Sequence, residues 1–197
     1  MATISSMQSE TFVGISHLYL VTGGFGDKFS ATGKTVTEVP VAQDGGFTYS
    51  GGTPSIDHYK VHGVTGDWTS RMTPGETEIN LFIPVVTSDI LGICGFTTST
   101  VSSSFPAVAD SDDGTFTATA GYTFPEVSSA FSVGIAAIND EGTKMFGIKK
   151  VKLLATLVFD SADTAKPIGI TLTGSSAAST ASDAMGIFTG SWAAPSN

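Results

Sequence analysis

The sequence predicts an all-β protein, a β-sandwich or β-barrel with one short flanking α-helix at about residues 87–94. Thr, Val, Ile and Phe are frequent, and several segments alternate apolar and polar residues with the two-residue period of a strand. Turns rich in Gly, Asn and Asp separate these segments. Because the chain shows neither a fixed repeat nor a linker, residues 1–197 are expected to form a single domain.

The strands expected before residue 76 are separated by Gly-rich loops. Residues 1–11 are polar and aperiodic, so they are interpreted as an N-terminal arm ahead of a β core at 12–174. The predicted strands are 12–21, 35–42 and 56–63, and the predicted loops are 22–34 and 43–75. In the first strand His17 lies among apolar residues and is interpreted as a core histidine; these residues are Val13, Ile15, Tyr19 and Val21.

Residues 76–95 are predicted to form a strand that runs into a short helix. One face of the strand carries Thr77, Ile79, Leu81 and Ile83, and the other carries Glu76, Glu78, Asn80 and Phe82. Thr87 or Ser88 is expected to cap the helix, and Gly95 is expected to end it. Its apolar stripe is Ile90, Leu91 and Cys94. Cys94 is therefore predicted to be a small buried hydrophobe and not a nucleophile.

The second half of the chain is predicted to contain a hairpin between a polar connector and a C-terminal arm. The connector is 97–115, and the strands are 115–124, 130–138, 145–159 and 166–174, the last of the core. The turn "NDEGTK" between the second and third of these strands is typical of a hairpin. In the arm at 175–197 the apolar residues indicate docking, for example onto another subunit; they are Met185, Ile187, Phe188 and Trp192.

Three short motifs with possible chemistry do not meet the requirements of that chemistry. "ATGKT" (31–35) lacks the first glycine of a phosphate loop, because position 28 is Lys28. His58 and His62 would lie roughly 13 Å apart on a strand, too far for one metal ion. "DSDDGT" (110–115) departs from the helix-loop-helix calcium pattern and is interpreted as a solvated turn, with a structural cation as the alternative. We therefore expect no cofactor, no metal ion and no catalytic site, and hence no enzyme.

The charge and composition of the chain exclude several classes of protein. The formal net charge is −9, with nine Lys and Arg residues in total, so tight binding to nucleic acid is not expected. A single cysteine cannot form an internal disulfide. The N-terminus lacks the basic and apolar regions of a signal peptide, and no apolar run approaches the length of about 18 residues that spans a membrane. A protein made in the cytoplasm and not associated with membranes is expected.

The order of these segments resembles that of the major tail tube proteins of tailed bacteriophages. A polar arm, a strand pair, a long Gly-rich loop and a strand–helix unit precede the hairpin "AFSVGIAAINDEGTKMFGIKKVKLLATLVFD" and the strand "KPIGITLTG". In the hairpin an Asp-x-Gly type of turn, a strand with a Lys pair and an acidic turn follow one another. The resemblance covers residues 12–174 by architecture and involves no specific residue motif.

The resemblance implies a structural virion protein. Its subunits would form hexameric rings that stack into a tail tube, through which DNA and the tape-measure protein pass without specific binding of the DNA. Tail terminator and distal-tail proteins are the further partners implied. The protein would be made in the host cytoplasm and located in the virion. The alternatives are the inner tube of a contractile injection system and a carbohydrate-binding or adhesin β-sandwich.

The tail-tube interpretation assigns candidate roles to two groups of residues. In the loop 43–75 the candidates for ring-to-ring stacking are Trp68, Arg71 and Met72, because aromatic, Arg and Met residues are enriched in interfaces. An alternative is that Trp68 closes the end of its own barrel. The candidates for facing the lumen are Glu76, Glu78 and Asn80. The basic cluster Lys149, Lys150 and Lys152 is expected at subunit contacts or on the outside, since lysines in a bore would hold DNA.

Overall fold

The structure confirms the predicted all-β class with one short α-helix. A computed structural model describes residue 12 and residues 14–41, 46–63, 65–66, 69–73, 75, 77–101, 107–110, 114–117, 120–159, 167–176 and 184–193. Strands make up 52% of the structure and helical residues 6%, with a large antiparallel sheet in a sandwich-like arrangement. The strands are β1 His17–Thr22, β2 Val36–Val39, β3 Phe47–Ser50, β4 Ser55–Tyr59, β5 Thr69–Thr73, β6 Glu78–Ile83, β7 Ser99–Val101, β8 Ala107–Asp110, β9 Gly114–Thr117, β10 Gly121–Thr123, β11 Phe131–Ile138, β12 Lys144–Val158, β13 Gly169–Ser176 and β14 Met185–Thr189. The helix α1 is Ser88–Ile93, and a 3-10 turn spans Asp27–Phe29.

The large sheet is built around the long strand β12. Its order is β2-β1-β11-β12-β13-β6-β3, and β14 pairs with β12 beside this path. One edge of β12 pairs with β11, while the other edge pairs first with β14 and then with β13. Tyr49 in β3 contacts Phe146 in β12, with ring centroids 5.8 Å apart. Because β3 lies three strands from β12 along the path, the sheet curves back on itself around its core.

The core consists of aliphatic residues that alternate along the strands. In β6 the residues Ile79, Leu81 and Ile83 are at most 1% exposed, as predicted. Their register partners in β13, Ile170 and Leu172, are fully buried beside them. The two-residue period therefore gives these strands one apolar face for the core and leaves the other face to a different role.

The strand–helix unit forms as the sequence predicts. Thr87 caps α1, its Oγ1 accepting a hydrogen bond from the backbone N–H of Ile90 at 3.3 Å. Gly95 has φ of +78°, the left-handed conformation that ends helices. Leu91 and Cys94 are fully buried and fix the helix on the core. Burial raises the pKa of Cys94 from 9.0 to about 12, so the thiol stays protonated, in agreement with its predicted role as a small hydrophobe.

The prediction that His17 is a core histidine is wrong. Leu18 and Leu20 of β1 belong to the main core cluster, whereas the His17 side chain is a quarter exposed. Its Nδ1 lies 2.6 Å from Glu38 Oε1, and its ring stacks on Trp192 with centroids 4.0 Å apart. β1 places His17 on the opposite face to the core, and the C-terminal segment covers that face.

Several predicted boundaries are also wrong. Besides the expected strand at 56–63, the predicted loop 43–75 contains β3 and β5, because Ser/Thr-rich segments there find antiparallel partners. The predicted connector 97–115 contains β7 and β8, and the predicted strand 115–124 is divided between β9 and β10. The division has a simple cause: β9 pairs back with β8 and β10 pairs with β7, in two separate small sheets. The predicted strands 35–42 and 56–63 are shorter, at Val36–Val39 and Ser55–Tyr59.

The C-terminal part of the chain contains a strand that the sequence did not predict. The predicted hairpin of 130–138 and 145–159 is confirmed as β11 and β12. β13 is not the last strand, however, because β14 follows it and pairs with β12 of the same chain. The Phe188 ring packs on Phe29 at 5.0 Å, and Trp192 Nε1 donates to the Tyr19 hydroxyl at 3.1 Å. Phe188 and Trp192 therefore dock on their own sheet, whereas Met185 and Ile187 are exposed.

Candidate functional site: a polar sheet face and an exposed hairpin

Four neighbouring strands, β3, β6, β13 and β12, present a polar face on the side away from the core. The register places Thr48, Asn80, Thr173 and Leu154 in one row across the four strands. A second row contains Phe82, Thr171 and Thr156, and the pairs Ser50–Glu78 and Ser175–Lys152 continue the pattern. We call this surface the polar face. Seven of its eleven side chains are Ser, Thr or Asn.

The polar face is rich in hydroxyl groups and close to neutral in charge. Glu78 and Lys152 are its charged members, and they carry opposite signs. Asn80 Nδ2 donates to Glu78 Oε1 at 3.3 Å, which orients both side chains along β6. A surface of this composition offers exchangeable hydrogen bonds but little net charge.

Two of the predicted lumen-facing residues, Glu78 and Asn80, lie on the polar face, and Glu76 lies outside the described residues. Sequence reasoning missed the contributions of β3 and β13. Alternation in "FTYS" and "ITLT" was a signal for them, because each apolar residue there is followed by a hydroxyl residue. Nor did the sequence indicate that Lys152 lies on the same face as Glu78.

A second candidate surface is the hairpin formed by β4 and β5. All ten residues of these two strands are exposed to solvent. Ile56 pairs with Met72, which is 66% exposed, and Asp57 pairs with Arg71. Ile56 and Met72 therefore lie on one face of this exposed two-stranded arm, and Asp57 and Arg71 lie on the other. Two of the predicted stacking residues, Arg71 and Met72, lie on this hairpin, and Trp68 lies outside the described residues.

The base of this hairpin is fixed by a close backbone approach. A Cβ added at Gly75 would collide with the backbone of Gly52 and Thr53. Only glycine fits where the two chain segments cross this closely. The hairpin therefore leaves the sheet at a defined point beyond the end of β3, where Ser50 pairs with Glu78.

The basic cluster is divided between different environments. Lys149 Nζ lies 3.9 Å from Asp27 Oδ1 and is partly buried. Lys150 and Lys152 are exposed.

In the motif "ATGKT" the backbone N–H of Lys34 donates to the Ala31 carbonyl at 3.0 Å, closing a tight turn of the chain.

Within the described residues, no group of three or more His, Cys, Asp and Glu side chains is arranged to hold a metal ion. His58 lies on the exposed hairpin, and His62 follows it in an exposed turn. The helices found in the part of the chain that the structure describes are too short or too polar to cross a membrane.

Comparisons with known proteins add no family to this description. No protein-family model matches the chain, and no curated protein matches it. The assignment of function therefore depends on the polar face, the exposed hairpin and the way the sheet presents them.

Proposed function

We propose that this protein is the subunit of a bacteriophage tail tube, a structural virion protein whose hexameric rings stack into a conduit for DNA ejection. The observation that carries this proposal is the polar face, which spans four strands directly opposite the core. When such subunits close into a ring with this face inward, their strands form a continuous barrel with a wet, hydroxyl-rich bore. DNA and a tape-measure protein would pass through it.

The charge of the polar face suits passage without binding. Phosphate contacts from Lys and Arg dominate the affinity of proteins for DNA. On this face Glu78 offsets Lys152, and the chain as a whole carries a formal charge of −9. A ring of such subunits surrounds the bore with negative charge and repels a polyanion. Lys152 lies on β12, the strand at the margin of the polar face, and we place it at the margin of the bore.

The edges of the sheet provide a route to ring closure. β2 and β3 are the terminal strands of the main path. In a monomer, edge strands present unpaired backbone groups and favour association, and a closed ring satisfies them through pairing between subunits. Assembly is then the mechanism of this protein, and terminator, distal-tail and tape-measure proteins are its proposed partners in the virion.

Thiol protection tests the orientation of the polar face. Thr173 is exposed in the monomer, and the natural thiol, Cys94, is buried with its pKa raised to about 12, so Thr173→Cys provides the one reactive thiol. In assembled protein this thiol should react with a small maleimide but be protected from a large PEG-maleimide. The control is Asp89→Cys on α1, which packs against the core side of the sheet and should stay accessible to both reagents.

The result that contradicts the proposal is equal labelling of Thr173→Cys and Asp89→Cys by the large reagent at protein concentrations where wild type would assemble. A stable monomer that binds glycans would instead favour a carbohydrate-binding β-sandwich. The inner tube of a contractile injection system would give the same protection, and a neighbouring sheath gene would distinguish it.

A further inference from the structure

A cleft of about 500 Å³ opens between α1 and the neighbouring ends of β1, β2 and β11. We call it the hydroxyl cleft, because four hydroxyl side chains and one carboxylate line it: Thr22, Thr35, Thr37, Ser88 and Asp89. Apolar side chains complete the lining, among them Ile93, Phe131 and Val133. The hydroxyl cleft is separate from the polar face, which belongs to β3, β6, β13 and β12.

The hydroxyl cleft forms where the core-facing side of the sheet changes from aliphatic residues to threonine. Along β1 this side carries Leu18 and Leu20, which are buried, and then Thr22, which is exposed. In β2 Thr37 pairs with Leu20 and therefore shares its face, two residues from the buried Val39. The same alternation that builds the core thus ends in a mouth lined by hydroxyl groups.

The other wall of the cleft is α1, in which Gly92 leaves an open space. A Cβ built on Gly92 would meet no atom within 4 Å, so no neighbouring residue requires a glycine there. Gly95 is different, because its φ is +78° and an added Cβ would lie 2.7 Å from the Ser129 carbonyl oxygen. Glycine within a helix is less favourable than alanine. Gly92 therefore weakens α1 while it keeps the cleft open.

The polar groups of the hydroxyl cleft are available to a ligand. In the part of the chain that the structure describes, the five polar side chains that line the cleft make no hydrogen bond or ion pair with the protein. Each hydroxyl can donate one hydrogen bond and accept two, and the carboxylate accepts. Asp89 is the charged residue among the described lining residues, so the cleft offers an anion no cationic partner. One carboxylate also does not supply the oxygen ligands that a calcium ion needs.

We propose that the hydroxyl cleft binds a small neutral saccharide. A sugar ring carries hydroxyl groups around its rim and apolar C–H groups on its faces. The threonine and serine hydroxyls and Asp89 match the rim, and the side chains of Ile93 and Phe131 match a face. The volume lies within the range of about 300–1,000 Å³ that is usual for small-ligand sites. This inference goes beyond the proposed function, because it concerns a different part of the subunit and does not depend on ring assembly.

Saturation-transfer difference NMR tests the site, because it detects the binding of small ligands to monomers and to large assemblies alike. Wild-type protein is mixed in turn with glucose, galactose, mannose and N-acetylglucosamine at millimolar concentrations. At least one of these sugars should receive saturation from the protein, and a titration of that sugar gives its Kd. The absence of transfer to every sugar would overturn the inference.

Substitutions at Gly92 locate the binding in the cleft. Gly92→Leu places a side chain in the open space and also favours the helix, so saturation transfer should be lost although Tm does not fall. Gly92→Ala favours the helix as well but is too small to fill the cleft, so it should keep the binding. Equal binding by Gly92→Leu and wild type would show that the sugar binds elsewhere.

A hydroxyl deletion gives a second, milder test. Thr37→Val removes one hydroxyl from the cleft and should raise the Kd about threefold to tenfold, as expected for the loss of one hydrogen bond. The matched control is Thr48→Val, the same change at an exposed strand position on the polar face, which should leave the Kd unchanged. An equal Kd for the two variants would contradict the assignment of the site.

Electron microscopy of the same preparations separates this inference from the proposed function. Tubes that bind none of the sugars would remove the saccharide site and leave the tube subunit in place. A persistent monomer that binds a sugar, and loses it on Gly92→Leu, would confirm the site and count against the tube subunit.

Discussion

Leu81 and Asn80 are neighbours in β6 that point to opposite faces of the sheet, and truncating each one should have very different consequences. Leu81 is 1% exposed and lies between Phe47 and Leu172 in the strand register. Leu→Ala at such a site removes buried methyl groups and leaves a cavity, which costs about 3 kcal/mol. For a domain of this size each kcal/mol lowers Tm by about 2–4 °C, so Leu81→Ala should lower Tm by roughly 6–12 °C.

Asn80 has no comparable role in stability. It lies on the polar face, and its amide donates one long hydrogen bond to Glu78 Oε1 at 3.3 Å. Asn80→Ala should therefore change the free energy of unfolding by less than about 0.5 kcal/mol, which is below about 2 °C in Tm. Because Asn80 is one residue from Leu81, it is the matched control for the position of the core face.

Urea denaturation and thermal scans of the wild type and the two variants measure this difference. A strand register displaced by one residue would exchange the two faces, and every residue of β6 would change its environment. If Asn80→Ala destabilises the protein as much as Leu81→Ala does, the polar face is not a free surface. The proposed bore would then lose its basis.

Three further predictions concern other parts of the fold. Thr87→Ala removes the cap of α1 and should cost about 1 kcal/mol in denaturant unfolding, whereas Thr87→Ser should restore most of it. Trp192→Ala removes the stacking on His17, and should speed hydrogen exchange in β14 while leaving β13 unchanged. Burial raises the pKa of the Cys94 thiol from 9.0 to about 12. Below pH 9.0 the thiol is protonated in both the folded and the unfolded chain, and the full free energy of unfolding is present. As the pH rises towards 12 the unfolded chain loses this proton and the folded chain does not, so the free energy of unfolding falls. At about pH 10.5 wild type should therefore have lost on the order of 2 kcal/mol more than Cys94→Ala; an equal loss would refute the buried-thiol account.

Much of the fold follows from local patterns in the sequence. Thr87, Leu91, Cys94 and Gly95 carry the cap, the apolar stripe and the stop of α1 within nine residues, so this unit could be predicted completely. The hairpin of β11 and β12 could be predicted for the same reason, since its turn and both strands are contiguous. In these cases the interactions that decide the structure are made between neighbours in the chain.

The errors occur where a distant partner decides the outcome. Met185–Thr189 becomes a strand because the edge of β12 at Lys144–Ile148 is available to pair with it. The sequence of the segment itself does not predict this pairing. His17 lies outside the core because its partners are there: Glu38 comes from β2 and Trp192 from the C-terminal segment. The sequence around His17 contains neither of them.

The candidate site shows the same limit. The polar character of β6 could be read from its own sequence, which placed Glu78 and Asn80 correctly on one side. The width of the polar face could not, because it depends on the register between β6, β3 and β13.

Electron microscopy of the purified protein tests the central claim most directly. Negatively stained samples are compared over a series of increasing protein concentrations. The tail-tube account predicts rings with an open centre, sixfold in end-on averages, and stacked tubes at the highest concentrations. Persistent monomers at every concentration, with neither rings nor tubes, would contradict it.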